Sequence, residues 1–485
     1  HSKVYPSHLL ESTVSPDFDQ YKGRKAAMKR SDFLDKIGDE VDKAIDRFPD
    51  TLSAGILRQR EINKKNILKE FNGTEEDWED YKWHYRNIIN TKERVEKLKK
   101  IINITKAQED AIVNSIENKI PFAITPHYLS LMDKEESSSD FPLRMQVFPP
   151  VKYVDSMLSH SKDKSLAFDF MREHDTSPID SITRRYMKVA ILKPYDTCPQ
   201  ICVYCQRNWE ITSPNIPSSK ITLKDLDKAI EWIEDHKHIM DILVTGGDPL
   251  IMNNHSIDEL LKKLSGISHI KSIRIASRIP VTVPQRIDDE FINILKKYNI
   301  PGKRIIYFVT HFQDSYEISQ ETLEAVKKLT MNGISIYNQQ VFTFSNSRRF
   351  ESVALRIALK LIGIDPYSTF NMKGKEETER LHVPMARLLQ EQKEEARLFS
   401  GLERTDEAVY NVPRLGKNYL RAAQHRDLIG ILPDGRRVYE FHPWEKQMML
   451  QEIFVMPDVP ILSYLEKLDA RGEDLLDYES IWYYY

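Results

Sequence analysis

Three cysteines with the spacing C-x3-C-x2-C are the most informative residues of this chain. Cys198, Cys202 and Cys205 lie in YDTCPQICVYCQR, and the 485 residues contain no fourth cysteine. One loop with three thiolates can hold a 4Fe-4S cluster at three irons and leave the fourth iron open to a ligand. The alternatives are a zinc site of three cysteines and a histidine, or three thiols that serve as small hydrophobic side chains. Zinc knuckles usually use paired C-x2-C arms, and no nearby cysteine or histidine completes a second arm, so the spacing favours iron and sulfur.

The cysteines follow the first of a series of predicted strands. After Arg184, β-branched runs alternate with amphipathic helical runs, and the strand candidates cover 188–193, 241–246, 272–277, 304–311 and 334–342. Strand followed by helix, repeated five or six times, predicts parallel strands joined by right-handed crossovers. Such a series forms an α/β fold, a partial or full β/α barrel, with its chemistry at the C-terminal ends of the strands. The cysteine loop is therefore expected at the mouth of this barrel.

Three further regions are predicted around the barrel. Residues 1–120 are expected to form an N-terminal helical region, residues 121–183 a connector with prolines and serines, and residues 184–425 the barrel itself. Residues 426–485 form a C-terminal extension whose aromatic end, SIWYYY, is a candidate for contacts between subunits. No repeat or low-complexity tract interrupts this order.

Composition excludes several classes of function. The 70 lysines and arginines against 73 aspartates and glutamates give a net charge of −3, so no basic field favours nucleic acid or an anionic membrane. No run approaches the ~18–20 apolar residues that a membrane span needs, and the first residues lack the pattern of a signal peptide. Three cysteines in a long chain also argue against a disulfide-stapled secreted domain. We therefore expect a cytoplasmic protein.

Seven segments extend the signal well beyond the cysteines. In order they are WEDYKWHYRNII, PFAITPHYLSLMD, RMQVFPP, TGGDPL, SRIPVTVPQRI, THFQDSYEIS and NQQVF. Together with the cysteine loop, they make the chain resemble the lysine 2,3-aminomutase family of radical S-adenosyl-L-methionine (SAM) enzymes, from Trp78 to about His425. The resemblance implies an isomerase that moves the α-amino group of an amino acid to its β carbon by means of a 5'-deoxyadenosyl radical. It also implies a small-molecule amino-acid substrate, an electron donor such as flavodoxin or ferredoxin, and a homo-oligomer.

The same resemblance assigns a set of residues to SAM. The open iron is expected to bind the amino and carboxylate groups of SAM, while Gly246, Gly247 and Asp248 of TGGDPL let its amino end approach the backbone closely. An ordinary turn between a strand and a helix is the alternative for the two glycines. Further expected contacts from the cysteine loop and the strand ends are Tyr204, Ser277, Arg278 and Gln340.

A 2,3-aminomutase also needs an imine, because an amino group migrates readily only when a π system can accept the radical. Pyridoxal 5'-phosphate (PLP) supplies this system on a lysine. By resemblance that lysine is Lys417 in VPRLGKNYL, although the family's run of glycines is here reduced to Gly416. Arg185, just before the first predicted strand, and Lys188, at its start, match the family's phosphate-binding positions. The alternative is that Lys417 is a surface lysine and that PLP is not used.

Three positions bear on the choice of substrate. Arg207, two residues after Cys205, matches a family arginine that pairs with the substrate α-carboxylate. Lysine-using members hold the distant ammonium group with two aspartates, whereas this chain has Asn411 at one position and basic residues, among them Arg348, near the other. A cationic side chain would be uncompensated there, so glutamate or another non-lysine amino acid is expected. The alternatives are a lysine 2,3-aminomutase, a PLP-independent radical SAM enzyme, and a non-catalytic binding protein stabilised by iron–sulfur or zinc.

Overall fold

A computed structural model describes residues 20–214, 221–372, 375–443 and 452–485 of the chain. The first 19 residues of the predicted N-terminal region lie outside the described residues. Within the described ranges, every helix is too short or too polar to span a bilayer.

A nine-stranded sheet forms the centre of the molecule. Its strands are β1 (Ile182–Thr183), β2 (Val189–Tyr195), β3 (Asp241–Gly246), β4 (Ser272–Ala276), β5 (Ile305–Thr310), β6 (Ser335–Phe342), β7 (Asp365–Asn371), β8 (Glu407–Val412) and β9 (Gly416–Tyr419). They lie side by side in chain order; β2 to β8 are parallel, while β1 and β9 pair antiparallel with their neighbours at the two edges. Among the described residues the two edges do not pair, so the sheet is a partial barrel. The predicted α/β fold class is confirmed.

Helices precede the sheet and connect its parallel strands. Ten lie before it: α1 (Gly23–Ile45), α2 (Ala54–Phe71), α3 (Glu75–Glu79), α4 (Tyr81–Arg86), α5 (Lys92–Ile101), α6 (Lys106–Glu117), α7 (Pro126–Ser130), α8 (Phe141–Val147), α9 (Val151–Ser159) and α10 (Lys164–Phe168). The connections between strands contain α11 (Leu223–Asp235), α12 (Asn254–Gly266), α13 (Ile279–Thr282), α14 (Asp289–Tyr298), α15 (Gln320–Met331), α16 (Glu351–Ile362) and α17 (Met385–Glu394). Helices α7 to α10 lie in the stretch that was predicted as a connector.

Side-chain caps begin several of the connecting helices. Thr222 accepts a hydrogen bond from the Asp225 backbone N–H at 3.1 Å where α11 begins, and Asp288 accepts one from Phe291 at 2.7 Å where α14 begins. Each cap satisfies an N–H that the helix cannot pair internally, and its loss typically costs about 1 kcal/mol. These starts are therefore determined by local sequence.

Alternation along the strands separates two faces of the sheet. Ile242 of β3 and Ile273 of β4 are in register, and both are buried in the core beneath the helices. On the opposite face, the rings of Tyr307, Tyr337 and Tyr367 follow one another across β5, β6 and β7, with centroid separations of 5.8 and 6.0 Å. We call this the inner face, and polar side chains on it point into the barrel.

All five predicted strands are present, but the sequence did not indicate β7, β8 or β9. Strand β7 contains Pro366, Ser368 and Asn371, which have low strand propensity. Strands β8 and β9 form a hairpin around residues 413–415. Lys417 therefore lies in a paired edge strand.

A second, smaller sheet follows the barrel. It contains β10 (Arg426–Ile431), β11 (Arg437–Phe441) and β12 (Phe454–Pro457), all antiparallel, and precedes α18 (Ile461–Asp469). Tyr439 and Phe441 of β11 share a buried cluster with Tyr410 of β8 and Tyr464 of α18. The C-terminal region thus packs against the last strands of the barrel.

Candidate active site

The cysteine loop leaves the C-terminal end of β2 and is fastened to the helices that precede the sheet. The Ile201 N–H donates to the Ala123 carbonyl at 3.0 Å, and the Val203 N–H donates to the Gln146 carbonyl at 2.8 Å. Cys198 and Cys205 pack against a small apolar cluster that includes Ile201. The loop is thus held on both sides of Cys202.

The spacing of the three thiols bears on the metal that they can hold. Within the described residues, their sulfur atoms do not all lie within 4.8 Å of one another. A single tetrahedral zinc ion would bring its sulfur ligands to about 3.8 Å, given zinc–sulfur bonds of about 2.3 Å. A cluster binds each sulfur to a different iron and does not need that approach. The arrangement fits an iron–sulfur cluster better than one zinc ion.

Burial controls the protonation of these thiols. It raises the pKa of Cys205 to about 11 and that of Cys198 well above its usual value. A metal ligand must be a thiolate, so cluster assembly has to release these protons. Lys375 contributes a nearby positive charge, since its Nζ donates to the carbonyls of Cys205 and Gln206 at 3.2 and 3.3 Å.

Arg278 links the cysteine loop to the strand ends. Its Nη1 lies 2.9 Å from the Cys202 sulfur, and its Nη2 donates to Gln146 and Glu317 at 2.5 Å each. Its guanidinium lies 5.8 Å from the centroid of the Tyr204 ring. Two of the residues predicted to bind SAM, Tyr204 and Arg278, thus meet beside the second cysteine. Gln146 and Glu317 belong to RMQVFPP and THFQDSYEIS, but nothing in the sequence singled them out.

Asp248 and the glycines before it serve the protein's own structure. The Asp248 carboxylate accepts from Ser277 Oγ at 2.8 Å and from the Arg278 N–H at 2.8 Å, and burial raises its pKa to about 6. A Cβ on Gly247 would lie 2.1 Å from the Thr197 carbonyl oxygen, and Gly246 has a φ of +111°. Gly247 is required by the close approach of the cysteine loop, and Gly246 by its positive φ and by the Tyr195 carbonyl of β2, which would lie 2.7 Å from a Cβ. Their role in binding SAM stays a prediction.

The structure turns Gln340 away from the inner face. Its Nε2 donates to Ser352 of α16 at 3.1 Å, and its Oε1 is buried without a partner among the described residues. Gln339, the neighbour with the opposite orientation in β6, hydrogen bonds to His311 through its backbone. Burial and the charge of Arg278 lower the pKa of His311 to about 4, so this histidine is neutral. Because side chains alternate between the two faces along β6, Gln339 and His311 are better placed than Gln340 to lie near a ligand.

Lys417 projects over the aromatic side chains of β7. Its Nζ lies 5.5 Å from the ring centroid of Tyr367 and 5.6 Å from that of Phe370. Burial, together with the positive charge of Arg274 on β4, lowers the pKa of Lys417 from 10.5 to about 8. A lysine amine with a depressed pKa is a better nucleophile toward a carbonyl group near neutral pH. Lys417 is not a surface lysine, and its environment fits a PLP lysine.

The two residues predicted to bind the PLP phosphate lie in different places. Arg185 lies next to the β8–β9 hairpin, which carries Lys417. The Arg185 Cδ is 3.5 Å from the place that a Cβ on Gly416 would take. The hydroxyl of Tyr186 accepts a hydrogen bond from the Lys417 N–H at 3.4 Å. Lys188 is exposed and immediately precedes β2. The geometry thus supports a phosphate role for Arg185 more than for Lys188.

Asn411 connects the lysine to the cysteine loop. It pairs directly with Lys417 across β8 and β9, and its Nδ2 donates to Gln206 Oε1 at 3.3 Å. Gln206 is the residue after Cys205. The third cysteine and the lysine therefore lie on segments that touch each other.

The two arginines predicted to contact the substrate already have carboxylate partners. Arg207 pairs with the buried Glu173, with an Nη2 to Oε1 distance of 2.8 Å. Arg348 pairs with Glu351 at 2.6 Å and lies over the ring of Phe48, 5.0 Å from its centroid. The substrate roles of both arginines stay predictions. The ion pair between Arg348 and Glu351 weighs against a substrate role for Arg348.

Comparison with known proteins agrees with this arrangement. Residues 192–344 match the radical SAM superfamily. An uncharacterised KamA family protein of Methanocaldococcus jannaschii is 46% identical over 98% of this chain and 77% of its own length. The glutamate 2,3-aminomutase of Clostridioides difficile is 35% identical over 69% of this chain and 75% of its own length. The L-lysine 2,3-aminomutase of Fusobacterium nucleatum is 33% identical over 58% of this chain and 62% of its own length. The predicted resemblance to 2,3-aminomutases is confirmed.

Among solved structures, a radical SAM methyltransferase from Sphaerobacter thermophilus aligns with 47% of this chain and 68% of its own. The sequence identity is 13% and the TM-score is 0.34.

Proposed function

Since the chain belongs to the KamA family of radical SAM proteins, we propose that it is a PLP-dependent amino-acid 2,3-aminomutase. The observation that carries the proposal is the hydrogen bond between Gln206 and Asn411, because it joins the segment after the third cysteine to the strand pair that carries Lys417. A radical source and an amine-binding lysine are the two things that such an enzyme must bring together.

The chain's residues divide the work of this reaction. SAM on the cluster, when bound, supplies the radical that removes hydrogen from the β carbon, and PLP supplies the π system for the migrating amino group. Cys198, Cys202 and Cys205 hold the cluster, and Lys417 offers an amine that is partly neutral near pH 8. Arg207 carries the positive charge for the α-carboxylate. The hydrogen taken from the β carbon is replaced at the α carbon, so the conversion is an isomerisation without net oxidation.

The substrate in this proposal is glutamate or another amino acid without a cationic side chain. Asn411 stands where lysine-using members have an acid, so a side-chain ammonium would lack a carboxylate from that position. The match to a glutamate 2,3-aminomutase also extends over 69% of this chain, against 58% for the lysine enzyme named above. Because Arg348 is paired with Glu351, the proposal for glutamate rests on Asn411 and not on Arg348.

Two partners complete the proposal. A one-electron donor such as flavodoxin or ferredoxin is needed to reduce the cluster before SAM is cleaved. The tail residues Trp482, Tyr483 and Tyr485 are exposed aromatic side chains, which supports their use in a homo-oligomer. A cytoplasmic location stays a prediction.

The test is an anaerobic assay of the reconstituted, reduced enzyme with a panel of α-amino acids. We expect a β-amino acid product, with glutamate as the best substrate. Cys202→Ala is expected to abolish release of 5'-deoxyadenosine from SAM. Lys417→Ala is expected to remove the PLP label that borohydride fixes on the protein, as read by mass spectrometry. Cleavage of SAM without retention of PLP would favour a PLP-independent radical SAM enzyme. A protein that neither cleaves SAM nor retains PLP would contradict the proposal.

Asn411→Asp tests the substrate class separately. A carboxylate at this position would repel the side chain of glutamate and attract that of lysine, so kcat/KM for glutamate should fall at least about tenfold relative to lysine. Asn114→Asp, at a partly exposed position of α6, is the matched control and should leave the ratio unchanged. Preferential turnover of lysine by the wild-type enzyme would make the glutamate assignment wrong while leaving the mechanism intact.

A further inference from the structure

Four charged side chains form a cluster near the C-terminal end of β2. They are Glu173, Lys193, Arg207 and Glu210, all largely withdrawn from solvent. Lys193 is ion-paired with Glu210 and lies 3.7 Å from Glu173, and Glu173 is paired with Arg207. Two acids and two bases make the cluster neutral. We propose that Glu173 is a positioning residue, which orients Arg207 so that one edge of its guanidinium can receive the α-carboxylate of the substrate.

The pairing of Glu173 with Arg207 is side-on. Arg207 Nε donates to Glu173 Oε2 at 3.2 Å, and Nη2 lies 2.8 Å from Oε1. A guanidinium has five N–H donors, and this contact uses the edge formed by Nε and Nη2. Within the ranges that the structure describes, Nη1 makes no hydrogen bond and is not among the fully buried unpaired atoms. The end of the guanidinium formed by Nη1 and the second N–H of Nη2 is therefore available to a second carboxylate.

Glu173 is itself held in place by several contacts. It is 3% exposed, it accepts from Thr183 Oγ1 at 2.9 Å, and its backbone N–H donates to Asp169 at 2.8 Å. Although burial by itself raises the pKa of the Glu173 carboxyl, the charges of Arg207 and Lys193 outweigh it and hold that pKa below its usual value. A fixed, ionised carboxylate of this kind restricts the rotamers of a long arginine side chain.

The position of Arg207 explains why orientation matters. It is two residues after Cys205, and its backbone N–H lies 3.3 Å from the Cys205 sulfur. A carboxylate bound by its free edge would be held beside the cluster loop, where the radical is generated. Without Glu173, the guanidinium could turn toward Glu210, which is 4.0 Å away, and the binding edge would be lost. This inference rests on the proposed function, because it assumes an α-amino acid as the substrate.

The experiment measures binding to the unreduced holoenzyme, loaded with cluster, SAM and PLP, so that no turnover occurs. The probes are L-glutamate and 4-aminobutyrate, which is glutamate without its α-carboxylate; L-lysine and cadaverine are the second pair. Glu173→Gln is expected to weaken binding of the amino acid about tenfold and to change binding of the matching amine less than twofold. Glu173→Asp, which keeps the charge on a shorter side chain, should recover part of the loss and leave binding of the amino acid about threefold weaker than in the wild type.

A double mutant identifies the route of the effect. In an Arg207→Ala background, adding Glu173→Gln should change amino-acid binding less than twofold, since the residue through which Glu173 acts is gone. If Glu173→Gln does not fold, Glu173→Asp is the test variant instead. Its smaller loss of affinity should again be confined to the amino acid. Equal weakening of amino acid and amine, or no weakening of either, would overturn the inference.

The outcomes separate this inference from the proposed function. An enzyme that isomerises amino acids but shows no selective effect at Glu173 retains its function and loses only the role of Glu173. An enzyme that shows the selective effect but forms no β-amino acid supports the role of Glu173 and contradicts the function. A wild-type protein that binds none of the amino acids overturns both.

Discussion

The chemistry proposed for Lys417 depends on its surroundings in the folded protein. An exposed lysine is almost fully protonated at neutral pH, whereas burial and Arg274 lower the pKa of Lys417 to about 8. Arg274 is in turn paired with Asp241 at 2.8 Å, which fixes its charge on the inner face. The pKa of the amine that is proposed to bind PLP is thus lowered by a residue that is separated from it by four strands of the sheet.

This pKa predicts how incorporation of PLP into the apoprotein depends on pH. Only the neutral amine attacks a carbonyl, so the initial rate should increase with pH and level off above about 8, being roughly tenfold below the plateau at pH 7. Arg274→Gln removes a positive charge and should move the midpoint to higher pH. The rate can be followed by visible absorbance after rapid mixing across a pH series.

A matched control for this prediction is Lys106→Ala, which removes an exposed lysine on α6 and should leave the profile unchanged. A midpoint near that of an ordinary lysine, or one that Arg274→Gln does not move, would contradict the stated origin of the shift.

The cysteine loop and the end of β3 form one unit at the scale of elements. Gly247 lies against the backbone of Thr197, the residue before Cys198, and the Asp248 N–H donates to the Thr197 carbonyl at 3.0 Å. Asp248 then reaches Ser277 and the Arg278 backbone after β4. Three consecutive strand ends are therefore tied together before any ligand binds, which preorganises the loop.

Gly247→Ala is expected to disrupt this unit. The added methyl group would lie 2.1 Å from a backbone oxygen, and relief requires a shift of the cysteine loop that costs about 1–3 kcal/mol or more. We expect a lower unfolding midpoint in denaturant and a severalfold lower iron content after anaerobic reconstitution. Gly266→Ala, where nothing lies within 4 Å of the new methyl group, should match the wild-type protein in both measurements. Equal iron content in the two variants would show that the loop tolerates the shift.

At the scale of the whole molecule, a buried charge network joins the barrel to the C-terminal tail. Glu391 of α17 accepts from Arg387 and from the Phe350 N–H at 2.6 Å each, and lies 3.3 Å from Arg349. The Arg349 N–H donates in turn to the hydroxyl of Tyr478 at 3.1 Å. The segment after β6, the last connecting helix and the tail are thus held by one set of contacts.

Glu391→Gln should therefore destabilise the protein as a whole. Removing one charge from a buried network leaves the arginines uncompensated, which typically costs about 3–5 kcal/mol. The change would appear as a lower thermal midpoint and as faster proteolysis of the tail. Asp434→Asn is the matched control: its pair with Arg436 is exposed, and its loss should leave the midpoint unchanged. If Glu391→Gln and Asp434→Asn are equally stable, the buried charge network does not determine the stability of the protein.

The sequence by itself determined the features that depend on neighbouring residues. The cysteine spacing, the repeated strand and helix pattern and the resemblance of seven segments were enough to predict the α/β barrel and the radical SAM family. Periodicity and turn chemistry are local, so five strands and the cysteine loop could be placed without knowledge of the rest.

Only the tertiary structure decided which side chains meet. It turned Gln340 away from the inner face, paired Arg348 with Glu351, and brought Glu173 from the predicted connector to Arg207. It also placed Lys417 in an edge strand. The sequence did not predict this strand, because residues 407–419 contain a proline and several polar residues. Orientation across a strand depends on register, and ion pairs depend on residues far apart in the chain. Neither is encoded in local spacing, because folding brings together groups whose separation in sequence carries no signal.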